Sequence, residues 1–190
     1  MRRLLALSGK RFAGKDTLAA IITTQAQTRG VPLATHAFAG ESKRMFVAWQ
    51  RTRGVAVDLR RLQDERAYKE AWRPQLTDFT VAALRGDPQV FCRAVADRVA
   101  TAGQPAIVTD LRLRVEVAHL RSRFALHVIR VTRPDPLRAA SGWRFTPAVD
   151  EHATETELDD PTLWDEEVVN DGTLARLAEL AAARLTAWLA

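Results

Sequence analysis

The chain has almost no cysteine and almost no tyrosine: its 190 residues include one of each, Cys92 and Tyr68. A lone thiol cannot close an internal disulfide, so a cystine framework is excluded and a reducing compartment is expected. Histidine is scarce too. His36, His119, His127 and His152 stand at no spacing that would form a metal site with Cys92 or with one another. No G-x-S-x-G elbow occurs, and no nucleophile is paired with a base at a readable spacing, which removes the common hydrolase classes. Long hydrophobic runs are missing as well. The opening "MRRLLAL" begins like a secretory leader, but its apolar stretch stops at Ser8 and nothing longer follows, so a soluble, cytoplasmic protein without membrane association is expected. There is no internal repeat and no block of like charge. The net charge of +5 comes from arginines spread along the chain, unlike a nucleic-acid-binding tail.

What is present is ordinary in bulk, with 47% hydrophobic and 27% charged residues, enough for one domain with a sizeable core spanning 1–190. Apolar or strand-like runs recur at Leu4 to Leu7, Leu33 to Ala39, Ala106 to Thr109, Leu126 to Val131 and Glu167 to Val169, with helical patterns between most of them. That alternation predicts an α/β fold with a central parallel sheet of five strands flanked by helices, its ligands at the carboxyl ends of the strands. The region from about 43 to 100 reads as mainly helical, broken at Arg73-Pro74 and at Gly86-Asp87-Pro88, and is placed to cover a bound acceptor. Residues from about 133 to 160, rich in proline, glycine and acids, read as a mobile lid. In the last segment Leu174, Leu177, Ala181, Leu185 and Trp188 share one helical face, a stripe expected to pack on the sheet.

One short stretch carries the chemistry. "SGKRFAGKDT" contains G-x-x-x-x-G-K-D from Gly9 to Asp16, one residue away from the Walker A form, with a strand before it and a helix after it. Backbone N–H groups of such a loop, Ala13 and Gly14 among them, surround the phosphates of a nucleotide, and Lys15 reaches the terminal ones. Lys10 and Arg11 add charge that can offset a transferring phosphoryl group. Asp16 stands where a hydroxyl usually meets Mg²⁺, so either this carboxylate through water or Thr17 is expected to take that part. In "AIVTDLRLR" an apolar strand ends at Asp110, followed by Arg112. The pair reads as a Walker B-like carboxylate for Mg²⁺ and a cation aimed at the phosphates, or as a helix-capping Asp.

Four further stretches, "YKEAWR" at 68–73, "GDPQVFCR" at 86–93, "TDLR" at 109–112 and "GWRFTPAVDEHATETELDD" at 142–160, join the loop in an ordered pattern. Together they resemble the animal-type phosphomevalonate kinases, P-loop enzymes of the nucleoside-monophosphate-kinase fold. The resemblance covers nearly the whole chain. It implies transfer of the ATP γ-phosphoryl group to 5-phosphomevalonate, with ATP and Mg²⁺ as cofactors and a monomer as the working form. By that likeness Lys10, Arg11, Lys15 and the lid residue Arg138 handle ATP, Asp16 or Asp110 serves the metal, and Lys43, Lys69, Arg73, Arg93 and Arg112 face the acceptor, with Arg144 as a further lid cation. Two positions depart from the family pattern: Leu113 replaces the second arginine after Asp110, and Ser141 replaces the arginine before Gly142. Other readings compete. "GKDT", "VTDLR" and "HATETELDD" also resemble the deoxynucleoside-monophosphate kinases, and the net charge permits a non-catalytic nucleotide- or nucleic-acid-binding module, although no nucleic-acid motif appears.

Overall fold

A computed structural model describes residues 1–189. The first strand, β1 (Arg3–Ser8), is followed by α1 (Lys15–Thr28), β2 (Ala34–His36) and α2 (Phe38–Thr52). Three helices come next, α3 (Leu59–Asp64), α4 (Arg66–Gly86) and α5 (Val90–Ala102). Then come β3 (Ala106–Leu111), α6 (Arg114–Arg123), β4 (Ala125–Thr132) and the short helices α7 (Asp135–Ala140), α8 (Pro147–Asp150) and α9 (Ala153–Thr156). Two 3₁₀ turns, Glu157–Asp159 and Pro161–Leu163, lead to β5 (Glu166–Val169) and α10 (Leu174–Leu189). The strands form one sheet in the order β2-β3-β1-β4-β5, with every pairing parallel. The expected α/β architecture is therefore the observed one.

The central strand shows why. A strand buried on both faces needs apolar side chains at every position, and "LLAL" provides them. Leu4 and Ala6 enter the core on one face of the sheet with Phe91, Val95 and Val117, whereas Leu5 and Leu7 enter the other with Ile22, Ala181 and Leu185. Burying each such leucine contributes roughly 1.5–3 kcal/mol. With both faces covered, ligands are left the carboxyl edge. Among the described residues no helix is long and apolar enough to cross a membrane.

Three local expectations need correction. The second strand stops at His36, because both oxygens of Asp110 accept backbone N–H groups, from Phe38 at 2.7 Å and Ala39 at 2.9 Å, which starts α2 there. Helix α4 runs through Pro74 without a break. Proline inside a helix costs about 3 kcal/mol in lost hydrogen bonding and crowding, but α4 is held on both sides of it: Trp72 and Phe79 each meet the buried Phe46 ring of α2 edge-on. In α10 the buried stripe is Leu177, Ala181, Leu185 and Trp188, while Leu174 in the first turn is exposed.

Candidate active site

The loop between β1 and α1 has the geometry its glycines predict. Gly14 lies at φ +93°, and a Cβ there would sit 2.3 Å from Asn170 Nδ2. That amide donates to the Ala13 carbonyl at 2.9 Å and so anchors the loop to the end of β5. Gly9 runs so close to β4 that a Cβ would come within 2.6 Å of the Val131 carbonyl oxygen. Phe12 is held in the left-handed region at φ +61°, a strained conformation for a bulky residue and one that concentrates at functional loops. Gly14→Ala is expected to destabilise the fold by about 1–3 kcal/mol, lowering Tm by roughly 2–4 °C per kcal/mol. It should also weaken nucleotide binding at least tenfold; thermal scanning and calorimetry check the pair of effects.

Lys15 opens α1 and is buried. Burial first, and the Arg112 guanidinium second, hold its ammonium below the usual lysine value. A poorly solvated cation at the head of a helix is prepared for an anion. The remaining loop cations meet acids of segment 147–160. Lys10 Nζ lies 2.7 Å from Asp159, which also receives the Arg130 guanidinium. Arg11 donates to Asp150 through Nε and Nη2 at 3.3 and 3.1 Å, and its backbone N–H to Glu155 at 2.7 Å. Arg112 donates to Glu155 and to the Thr154 carbonyl. Arg138 donates to the Arg11 carbonyl at 3.0 Å and lies 3.9 Å over the Trp143 ring.

Asp150 is the junction of this arrangement. Burial pushes its carboxyl up, but the Trp143 indole, the Thr146 amide and the Arg11 guanidinium outweigh burial and hold it below its usual value. Arg130 is buried on β4, where it donates to Ser8 Oγ at 2.9 Å, and burial lowers its pKa. A guanidinium keeps its charge even so.

Two cavities border these residues, one at the loop and one at the end of β3. One of about 440 Å³ is lined by Lys10, Ala13, Arg130, Arg138, Trp143 and Phe145 among others. Among the described residues, buried Arg133 Nε and Trp164 Nε1 have no hydrogen-bond partner, and both residues belong to this wall. Donors left unpaired in a cavity fit a polar ligand rich in acceptors. The second cavity, about 380 Å³, holds Lys43, Asp110, Arg112 and Glu116 in an otherwise largely apolar wall. Lys43 is held below its usual value by burial and by the neighbouring Lys69. Burial likewise raises Asp110 despite its two backbone donors.

The sequence-derived residues thus fall into two groups. Lys10, Arg11, Lys15, Arg112 and Arg138 converge on the loop, Lys43 and Arg112 line the second cavity, and Lys69 stands beside Lys43. Arg73 pairs with Glu70 and Arg93 with Asp87, both exposed; neither lines either cavity. Arg144 contributes its carbonyl to Arg11 and leaves its side chain exposed. Arg114 pairs with Asp160 at 3.0 Å and lines neither cavity. Asp16 and Thr17 are exposed in the first turn of α1. Sequence reasoning missed Arg130, Asn170, Asp150, Glu155 and Asp159. Of these, Arg130 carried a readable mark, a charge set inside the apolar run of β4.

Glu116 yields a pH test. Its Oε2 accepts the N–H groups of Arg112 and Leu113 at 2.7 and 2.9 Å, yet burial raises its carboxyl from 4.5 to about 7. The folded state therefore holds this proton more tightly than the unfolded chain does. Stability should fall as pH rises through the window from 4.5 to about 7 and level off above it. The expected loss is on the order of 3 kcal/mol. Thermal scans of wild type and Glu116→Gln across that window should show the slope in the first and a flattened profile in the second.

Comparison with known proteins agrees with this geometry. A family model described as phosphomevalonate kinase matches residues 7–126. The phosphomevalonate kinase of Drosophila melanogaster is 25% identical over 165 residues, covering 84% of this chain and 83% of the fly protein. Shikimate kinase from Acinetobacter baumannii, solved in complex with shikimate, aligns over 100% of this chain and 94% of its own with a TM-score of 0.51 at 13% identity. The Mycobacterium tuberculosis APS kinase, in complex with AMPPNP and APS, aligns over 98% of each chain with a TM-score of 0.52 at 12% identity. These two structures share the fold.

Proposed function

The chain belongs to the phosphomevalonate kinase family, and from that premise we propose that ATP occupies the cavity over the loop and 5-phosphomevalonate the cavity beside Lys43 and Arg112. The enzyme is a phosphotransferase with a phosphate group as acceptor. The observation that carries the site assignment is the convergence of cations from the loop, the end of β3 and α7 on one place, Lys15 lying within the field of Arg112 and Asp110.

The reaction asks little of acid–base chemistry. An acceptor phosphate oxygen is already anionic at neutral pH, so it attacks the γ-phosphorus without a base, and the enzyme must align two anions and offset their repulsion. Lys15 and the loop N–H groups hold the β- and γ-phosphates. Arg112 bridges donor and acceptor, a task suited to a planar guanidinium. Lys43 binds the far end of the acceptor. Arg11 and Arg138, tied together through Asp150 and the Arg11 carbonyl, attach segment 133–160 to the loop as a lid that excludes water from the transferring group.

The residues present fit a magnesium ion. Asp16 offers an exposed carboxylate at the head of α1, whereas both Asp110 oxygens are engaged by α2. One carboxylate with waters and phosphate oxygens is the set Mg²⁺ prefers, and the ion would neutralise charge on the β- and γ-oxygens. A monomer is the working form of this reading, and the chain's one, buried thiol suits a reducing cytoplasm. The test is ADP release from ATP and Mg²⁺ with (R)-5-phosphomevalonate as acceptor. Saturable release supports the assignment; release with a deoxynucleoside monophosphate and none with phosphomevalonate would refute it.

A further inference from the structure

The second cavity is more apolar than an acceptor with two anionic groups, a phosphate and a carboxylate, requires. Its lining includes Leu76, Val81, Leu84, Phe91, Leu113 and Val115, and of its hydroxyls Ser42 and Thr80 are hydrogen-bonded to each other. The two cations in its lining are Lys43 and Arg112, and its two carboxylates are engaged with backbone: Asp110 with the head of α2, Glu116 with the head of α6. The cations that would have marked a dedicated carboxylate site lie elsewhere, Arg73 on Glu70 and Arg93 on Asp87. At position 113, at the turn into α6, stands a leucine.

We propose that the enzyme also phosphorylates monophosphates of small branched alkyl alcohols, which carry no carboxylate, in this cavity. The inference rests on reading the cavity as the acceptor site. Its two cations, Arg112 and Lys43, take a phosphate, and its leucine, valine and phenylalanine side chains take methyl and methylene groups, displacing water from apolar surface. With Arg112 on the phosphate, a carboxylate has only Lys43 to meet, and an alkyl ester frees Lys43 to share the phosphate. Sites built to hydrogen-bond a substrate group reject analogues that lack it by factors of about 10⁴ or more. A wall of hydrocarbon imposes no such rejection. The step balances: a dianionic phosphate oxygen of the ester forms a bond to the γ-phosphorus as the bond from that phosphorus to the β,γ-bridging oxygen breaks. Ester dianion and ATP tetraanion give two trianions, the alkyl diphosphate and ADP, with no proton taken up or released.

The experiment compares kcat/KM of the full chain, with ATP and Mg²⁺, for 3-methylbutyl phosphate and for (R)-5-phosphomevalonate. The expected result is turnover of the alkyl ester within about a hundredfold of phosphomevalonate. Leu113→Arg should shift the ratio toward phosphomevalonate at least tenfold. Val81→Lys, at an exposed rim position, should shift it the same way and serves if Leu113→Arg fails to fold. Turnover of phosphomevalonate with the alkyl ester more than a hundredfold worse, or a ratio that neither folded variant moves, would overturn the inference and leave the acceptor assignment intact. Turnover of the alkyl ester alone would sustain the inference and overturn that assignment, and turnover of neither would overturn both.

Discussion

Lys15→Ala is expected to lower kcat by about a thousandfold while leaving Tm unchanged or slightly raised. The two halves of this result come from the same physical fact. Lys15 is nearly out of water, and burial with a neighbouring guanidinium makes its charge costly in the folded protein. Removing a desolvated cation relieves that cost, so the fold has no reason to weaken. Transition-state charge, in contrast, loses the cation placed closest to the start of α1. Losing one preorganised donor costs about 10²–10³ in kcat, and cations that bridge transferring phosphoryl groups contribute about 10³–10⁵. Steady-state ADP release together with a thermal scan reads both quantities. A variant that loses Tm and activity in proportion would mark Lys15 as a structural residue.

Arg112→Ala should behave differently. A fall in kcat of at least a hundredfold is expected from the lost bridge between donor and acceptor phosphates. Here stability should fall too, because Arg112 pairs with Glu155, a carboxylate only 5% exposed. Stranding a buried charge is among the larger destabilising events, about 3–5 kcal/mol when no partner remains. The Arg11 N–H still serves Glu155, so the loss should be at the lower end of that range. The double variant Arg112→Ala, Glu155→Gln separates the roles: neutralising the stranded acid should recover most of the Tm, and none of the kcat. Recovery of both would mean that Arg112 acts only by holding segment 153–156 in place.

The loop was legible in the sequence because its chemistry is local: Gly9, Gly14 and Lys15 are fixed by spacing within eight residues, and the strand before them is continuous hydrocarbon. The parallel sheet followed from alternation for the same reason, each parallel pairing needing a crossover between its strands, whereas the order β2-β3-β1-β4-β5 did not. What escaped was whatever depends on distant partners. Asp110 was visible as the end of a strand, but its acceptance of the Phe38 and Ala39 N–H groups joins residues more than 70 apart in the chain. The acids Asp150, Glu155 and Asp159 read as part of a polar, acidic stretch; only the fold shows that each holds a cation of the loop or of a neighbouring strand. Arg73 and Arg93 illustrate the converse. Their motif placed them at the acceptor, yet each has a carboxylate three to six residues away, Glu70 on the same helix for Arg73 and Asp87 in the turn before α5 for Arg93, and each forms a local ion pair with it. Pro74 misled in a similar way: the break it encodes locally is overridden by aromatic packing against Phe46.

The most direct test of the central claim is phosphorus NMR of the purified protein with ATP, Mg²⁺ and (R)-5-phosphomevalonate, following the products in time. The account predicts that the acceptor's single phosphate resonance is replaced by the two coupled resonances of a diphosphate ester, in step with conversion of ATP to ADP. Growth of free inorganic phosphate with the acceptor resonance unchanged would contradict it, since the γ-phosphoryl group would then be passing to water and the cavity beside Lys43 and Arg112 would not be holding this acceptor.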